Sequence, residues 1–169
     1  MPGKDRLDRA ARSALMARIR STNTAPERIV RSALHRLGYR FRLHGQTLPG
    51  HPDIVLTKLR TVIFVHGCFW HQHANCKHAT VPRRNRLFWQ TKFRHNVARD
   101  RRDQRSLRAR GWRVFIVWEC DVMSRDRLTR RVHRLAAQLR KRPPVDGARA
   151  GAGKTRRLAP KRHLRRNCS

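Results

Sequence analysis

Acidic residues are scarce in this chain of 169 residues, which has 10 Asp and Glu against 42 Lys and Arg and a formal net charge of +32. No apolar run approaches the roughly 18 residues that a membrane-spanning helix needs. The first residues, Met1 to Arg6, lack the apolar stretch of a secretion signal. Four cysteines are present, with nothing that points to an oxidising compartment. We therefore expect a cytoplasmic protein with reduced thiols and no membrane partner.

The excess of positive charge indicates a polyanionic partner. Each phosphate that Lys or Arg neutralises releases condensed counterions, so nucleic acid is the common partner of so basic a chain. A GC-rich genome accounts for the preference for Arg over Lys, but not for 42 bases against 10 acids. Ribosomal and histone-like proteins share this charge, which by itself says nothing about catalysis.

The composition divides the chain into a domain over residues 1–140 and a basic tail over residues 141–169. The tail combines Pro143-Pro144 with several glycines, ten Lys or Arg residues and no apolar period, which is typical of disordered segments. Within the domain, apolar periodicity predicts a mixed α/β fold with a central sheet. The predicted helices cover 5–20, 25–37, 85–110 and 125–140, and the predicted strands cover 39–43, 53–56, 61–65 and 114–118, the last buried on both faces.

Three cysteines and a histidine follow the ends of two predicted strands. They are Cys68, His73, Cys76 and Cys120. If those strands are neighbours, their ends bring the four side chains together, and three thiolates with one imidazole suit a structural Zn²⁺. The alternative is three buried thiols and a solvated histidine.

The same loop contains adjacent aromatic residues, Phe69 and Trp70, and Trp89 follows near the start of the long basic helix. Such residues are usually part of a hydrophobic core. In so basic a chain they are also candidates to wedge between base pairs.

Among the few acids, Asp53 begins one predicted strand and His66 directly follows the next. This layout is typical of metal-dependent nucleases of the restriction-endonuclease type. Mg²⁺ prefers oxygen ligands, so Asp53 and the main-chain oxygen of Val65 could hold it, while His66 or His71 transfers the proton. The alternative is that Asp53 is an ordinary turn residue after a proline.

The other acids have simpler interpretations. Glu27 lies three residues after Thr24, so the pair matches a capping box at a helix start. Asp100 and Asp103 lie among arginines on the long helix and are expected to form surface ion pairs. Glu119 either orients the cysteine loop or is solvated.

Several longer blocks carry a more specific signal. The most specific are HGCFWH at 66–71 and VWEC at 117–120, and they are accompanied by LPGHPD at 48–53, FW at 88–89, NVARD at 96–100 and GWRV at 111–114. With these blocks the chain, from about Asp5 to about Gln138, resembles the very short patch repair (mismatch) endonucleases. The resemblance implies a restriction-endonuclease-like fold, in which helices flank a central mixed sheet and a structural zinc is bound. It also implies a strand-specific nick 5′ to the thymine of a T·G mismatch that arises when 5-methylcytosine deaminates.

The resemblance also assigns roles to residues. Asp53 would bind Mg²⁺ beside the main-chain oxygen of Val65, and His71 would be the general base with Glu27 nearby. His66 would contact the scissile phosphate. The wedge would consist of Phe69, Trp70 and Trp89. Zinc would be held by Cys68, His73, Cys76 and Cys120, with His78 as the alternative nitrogen ligand.

Two other hypotheses remain open at this stage. One is a related nuclease that acts on another site or lesion, and the other is a zinc-stabilised DNA-binding protein without catalysis. For the favoured hypothesis the partners are double-stranded DNA with a T·G mismatch and mismatch-repair proteins. The protein is expected to be a monomer associated with the bacterial nucleoid.

Overall fold

A computed structural model describes residues 22–141 of the chain. The predicted helix at 5–20 and all but the first residue of the predicted tail therefore lie outside the described residues. The first described helix, α1 (Ala25–Arg36), begins after Thr24 as predicted, with Pro26 in its first turn. Its apolar stripe buries Val30 and Leu34.

Four strands form one mixed sheet in the order β1-β2-β3-β4. They are β1 (Arg42–Leu43), β2 (Ile54–Leu56), β3 (Thr61–His66) and β4 (Arg113–Trp118). The first three pair antiparallel, and β3 pairs parallel with β4. The predicted strand at 39–43 is shorter than expected, whereas the other three strands are confirmed.

Each connection matches the strand pairing that it joins. A short 3-10 helix, Thr57–Leu59, and Arg60 in the left-handed region (φ +43°) close the antiparallel turn between β2 and β3. Parallel strands need a longer crossover, and here it contains α2 (Cys68–His71) and the 24-residue α3 (Arg86–Ala109). The crossover ends at Gly111, whose φ of +75° suits glycine at a helix end.

Alternating side chains of the sheet pack into two cores, one on each face. Ile54 and Ile63 face α1, α4 (Glu119–Val122) and α5 (Arg125–Arg140). Val62 and Phe64 face α3, where Leu107 is fully buried. The predicted mixed sheet flanked by helices is therefore confirmed.

Three local features differ from expectation. Strand β4 is only half-buried apart from Val117, because it lies at the edge of the sheet instead of inside it. The segments α2 and α4 form single helical turns that periodicity cannot detect, since each has four residues.

Within residues 22–141, no helix is both long and apolar enough to cross a bilayer.

Candidate active site and metal-ligand clusters

The register of the strands brings the start of β2 close to the end of β3. Because β2 runs antiparallel to β3, with Ile54 opposite Ile63, Asp53 comes level with the last residues of β3. The Val65 N–H donates to Asp53 Oδ2 at 2.7 Å. The predicted neighbours Asp53 and Val65 are thus in direct contact, and the side chain that follows Val65 is His66.

Asp53 also belongs to a cluster of three side chains with Glu27 and His44. One ligand atom from each lies within 4.8 Å of the other two. Glu27 is only 2% exposed and comes from α1, while His44 comes from the loop after β1. Arg31 closes the cluster, with Nη2 2.5 Å from Glu27 Oε2 and 3.5 Å from His44 Nε2.

Burial and crowding of charge perturb the ionisation of Asp53. Desolvation, the largest cause, and the negative charge of Glu27 together raise its pKa to about 6, although the Val65 hydrogen bond, Arg31 and His44 oppose the shift. The raised pKa reflects mainly the burial of this carboxylate, which disfavours its charged form. Such a carboxylate is a good ligand for an additional cation.

Glu27 performs the capping role that its spacing predicts and also reaches the cluster. Its Oε1 accepts from the Thr24 N–H at 3.2 Å and from Thr24 Oγ1 at 2.8 Å, and Oε2 accepts from the Asn23 N–H at 3.0 Å. The same carboxylate lies beside Asp53 and His44. Capping therefore fixes the position of a carboxylate that is also available to a cation.

A second cluster joins His66, His71 and Asp100. The rings of His66 and His71 stack with their centroids 3.9 Å apart and an interplanar angle of 13°. On its other side, His71 Nδ1 lies 2.5 Å from Asp100 Oδ2. Asp100 reaches from α3 and is largely buried, and its Oδ1 lies 3.8 Å from Nη2 of the exposed Arg99. The expected ion pair is therefore present, whereas the contact with His71 was not expected. Asp103 likewise pairs with an arginine, Arg102, at 3.6 Å.

The pKa shifts separate the roles of the two histidines and of the acid. Burial and the neighbouring His71 lower the pKa of His66 to about 3, so His66 is neutral at physiological pH. Burial alone would raise the pKa of Asp100, but the hydrogen bond and positive charge of His71 outweigh it and lower that pKa. An ionised Asp100 accepts a hydrogen bond at His71 Nδ1 and so orients the His71 ring.

The predicted set Cys68, His73, Cys76 and Cys120 forms a third cluster, again with its ligand atoms within 4.8 Å. The parallel pairing of His66 with Trp118 accounts for this, because Cys68 and Cys120 each follow two residues later. His73 Nε2 lies 3.3 Å from Cys68 Sγ and 3.6 Å from Cys120 Sγ. Ligands around a tetrahedral zinc would stand about 3.6 Å apart, so the spacing fits that ion. It is His73, not His78, that belongs to this cluster.

Burial and hydrogen bonds shift the pKa values of the three thiols in different directions. Burial raises the pKa of Cys68 to about 12 and also raises that of Cys120. For Cys76, burial is outweighed by hydrogen bonds from backbone N–H groups, including that of His78, and from the neighbouring thiols, so its pKa is lowered. Glu119 Oε2 accepts from the Cys68 N–H at 3.3 Å, which confirms that it orients the loop.

The three predicted wedge residues lie together and half-buried where α2 meets α3. Phe69 is 5.0 Å from Trp70, 5.4 Å from Trp89 and 5.1 Å from the buried Phe93, measured between ring centroids. The next ring along, Phe88, is 59% exposed. The cluster is therefore partly core and partly open surface.

Two residues of these clusters were missed as candidates. The sequence could have identified Asp100. It lies on the same face of α3 as the buried residues Phe93 and Leu107, and that face packs against the rest of the protein. No sequence pattern identifies His44, because its position depends on the pairing of β1 with β2 and on a left-handed backbone (φ +48°).

Comparison with known proteins adds a family assignment. A family model described as DNA mismatch endonuclease Vsr matches residues 4–78. The Type II nicking enzyme V.XorIIP of Xanthomonas oryzae pv. oryzae is 51% identical over 118 residues, which are 70% of this chain and 86% of the relative. The DNA mismatch endonuclease Vsr of Escherichia coli K12 is 47% identical over 122 residues, which are 72% of this chain and 78% of the relative. Among solved structures, the catalytic domain of homing endonuclease I-Bth0305I gives a TM-score of 0.47 at 20% identity, covering 69% of this chain and 98% of that domain.

Proposed function

The chain belongs to the DNA mismatch endonuclease Vsr family and is a DNA endonuclease, and from this premise we propose that it nicks one strand 5′ to the thymine of a T·G mismatch. Such mismatches form when 5-methylcytosine deaminates, and the nick starts very short patch repair. We also propose that the protein acts as a monomer, so that its single catalytic centre would cut one strand and produce a nick instead of a double-strand break.

The observation that carries this proposal is the contact between Asp53 Oδ2 and the Val65 N–H, 2.7 Å apart. It places a carboxylate beside the backbone of Val65 and one residue from His66. The His66, His71 and Asp100 cluster continues from that point. The carboxylate cluster and the histidine cluster thus adjoin where β2 begins and β3 ends, at the middle of the sheet.

We assign Asp53, the main-chain oxygen of Val65 and the nearby Glu27 to a catalytic Mg²⁺. The fit rests on two carboxylates that lie within 4.8 Å of each other, one of them buried with its pKa raised to about 6. When bound, Mg²⁺ would supply positive charge to the phosphate that is attacked. We assign Cys68, His73, Cys76 and Cys120 to a structural Zn²⁺, because three sulfurs and one nitrogen fill all four tetrahedral positions.

We assign His71 as the general base that accepts the proton of the attacking water. Asp100 would hold its ring by the 2.5 Å contact at Nδ1, which leaves Nε2 for the water. His66 is neutral and stacked on His71, and it would donate a hydrogen bond to the scissile phosphate without gaining charge. This division uses the two stacked rings for different tasks.

For mismatch recognition we assign Phe69, Trp70 and Trp89 as wedge residues. Unstacking a base step costs a few kcal/mol, and the cost is smaller at a T·G wobble pair because it stacks less well. The half-buried rings support one another and leave edges at the surface. Binding that requires unstacking therefore favours mismatched over matched duplex.

We further propose that residues 1–140 form the nuclease domain and that the basic residues of 141–169 add affinity for DNA that is independent of sequence. Mismatch-repair proteins are the expected partners at the mismatch.

A nicking assay with end-labelled duplexes tests the proposal. The duplexes carry T·G, another mismatch or a matched pair in candidate methylation sites, and each is tested with and without Mg²⁺. We expect Mg²⁺-dependent cleavage of the T strand only in T·G duplexes, and Asp53→Ala should abolish cleavage while binding stays nearly intact. Cleavage of other lesions would indicate a related nuclease, and an inactive wild type that still binds would indicate a DNA-binding protein.

A further inference from the structure

We propose that His44 is an inner nitrogen ligand of the cation held by Glu27 and Asp53, so that this centre binds Mn²⁺ in preference to Mg²⁺. The inference rests on the proposed function, because it concerns the same centre, and it adds a ligand and a metal preference to it.

The backbone holds His44 in place opposite Asp53. The His44 N–H donates to the Asp53 main-chain oxygen at 3.3 Å, and the next N–H, that of Gly45, donates to the Pro52 oxygen at 3.0 Å. His44 has a φ of +48°, which is unfavourable for a residue with a Cβ. The surrounding contacts must maintain this conformation, so the imidazole is presented by a fixed loop.

Close packing of Gly45 tightens the same loop. A Cβ on Gly45 would lie 2.8 Å from Val55 Cγ2 and 3.2 Å from Pro52 Cγ. Only glycine allows the loop to approach the strand that carries Asp53 this closely. The close approach brings a ring nitrogen of His44 within 4.8 Å of an oxygen of each carboxylate, so that one cation can contact all three side chains.

The contacts of Arg31 show that the side chains of Glu27 and His44 point to the same place. Its Nη2 lies 2.5 Å from Glu27 Oε2 and 3.5 Å from His44 Nε2, so one cationic nitrogen already contacts both side chains. The Arg31 Nε is buried without a hydrogen-bond partner. Thus the guanidinium is incompletely satisfied and can shift when a cation takes up the two donors.

The chemistry of the donors sets the preference. Mg²⁺ prefers an all-oxygen octahedron and retains several waters. Imidazole suits divalent transition metals, and Mn²⁺ is the transition metal that also takes the carboxylate, carbonyl and water oxygens that suit Mg²⁺. Two carboxylates with one imidazole therefore favour Mn²⁺ over Mg²⁺.

Mn²⁺ binding to the full-length, zinc-loaded protein tests the proposal, measured by electron paramagnetic resonance. The spectrum reports both free Mn²⁺ and, through ¹⁴N modulation of the spin echo, a coordinated imidazole. The variants are His44→Gln, which keeps a polar side chain of similar reach, and Asp53→Asn. His35→Gln, at an exposed position of α1, is the matched control.

We expect ¹⁴N modulation in the wild type and in His35→Gln but not in His44→Gln. His44→Gln should weaken Mn²⁺ binding about tenfold or more, within the range known for losses around a metal site, and leave Mg²⁺ affinity nearly unchanged. A Mn²⁺ site that depends on Asp53 but shows no ¹⁴N modulation from His44 would overturn this inference and leave the proposed function standing. Binding that is insensitive to Asp53→Asn would overturn both.

Discussion

The Cys68 cluster and the Asp53 cluster are similar in size but differ in their donors. The first joins three sulfurs and one nitrogen and takes them all from the crossover loop and the start of α4. The second joins two carboxylates and one imidazole from α1, the loop after β1 and the start of β2. The first set is complete for a tetrahedral ion, whereas the second leaves positions for water and phosphate.

The type of ligand atom distinguishes the proposed structural site, which has sulfur ligands, from the proposed catalytic site, which has mainly oxygen ligands. In the first cluster only single hydrogen bonds, such as that from the Cys120 N–H to Cys68 Sγ at 3.4 Å, connect the loop with α4. A shared ion would therefore be the strongest connection between them. Glu27 and Asp53 are bonded to Thr24, Arg31 and the Val65 N–H even without an ion. We therefore expect substitutions in the first cluster to destabilise the fold and substitutions in the second to reduce the nicking activity.

The largest effect is expected from Cys120→Ser. Structural zinc contributes roughly 10–16 kcal/mol in small zinc peptides, comparable with the whole stability of a domain. Loss of one ligand should therefore abolish cooperative thermal unfolding, followed by circular dichroism, and the variant should retain less than one zinc per chain. Cys168→Ser is the matched control and should behave as wild type. A Cys120→Ser variant that is as stable as wild type would refute the structural role.

The next effect in size concerns Asp100→Asn. The amide cannot stabilise protonated His71, so the nicking rate at saturating metal should fall about 10²–10⁴-fold, as measured in single-turnover assays. The melting temperature should change little. Asp103→Asn, one turn further along α3, is the control and should retain its rate. Equal losses in both variants would mean that α3, and not the contact with His71, is responsible.

Proton competition at Asp53 should make metal affinity depend on pH. Because its pKa is raised to about 6, the carboxylate is protonated below that pH, and divalent-metal affinity should fall about tenfold per pH unit there and level off above it. Calorimetric titration of the zinc-loaded protein between about pH 5 and about pH 8 measures this. Affinity that stays constant down to about pH 5 would contradict the raised pKa.

The smallest effect is on stability. The folded protein penalises ionised Asp53, since its pKa is raised from 3.8 to about 6. The penalty is fully present above the folded value and absent below the unfolded one. Asp53→Asn should therefore stabilise the zinc-loaded protein, free of other divalent cations, by about 1–2 kcal/mol near neutral pH, with no gain near the unfolded pKa. Denaturant unfolding is measured near neutral pH and near the unfolded pKa, and the second measurement is the control for the first. Destabilisation of the variant near neutral pH would contradict the prediction.

The sequence predicts the Cys68 cluster better than the Asp53 cluster, for a physical reason. Cysteines after two strand ends meet whenever those strands are parallel neighbours, and β3 and β4 are. His44 depends on a two-residue strand and a left-handed backbone, neither of which leaves a periodic signal. The spacing of Glu27 predicts only a helix cap, and it is the family resemblance that places this residue near the catalytic centre. Its neighbours Asp53 and His44 become visible only in the folded structure.

The same contrast applies to the elements of the fold. Helices with long apolar stripes, such as α1 and α5, agree with the prediction within a few residues. The strand at 114–118 was predicted as buried on both faces because its apolar run is continuous. Only the order of strands, which puts it at the edge, leaves it half-buried.

The central claim is that the oxygen-rich cluster drives catalysis and the sulfur-rich cluster drives folding. The most direct test is the nicking rate of a T·G duplex by protein that retains one zinc per chain, measured as Mg²⁺ or Mn²⁺ is added after removal of other divalent cations. We predict no cleavage before the addition, saturable cleavage after it, and unchanged zinc content throughout. Full cleavage with zinc alone would contradict the account.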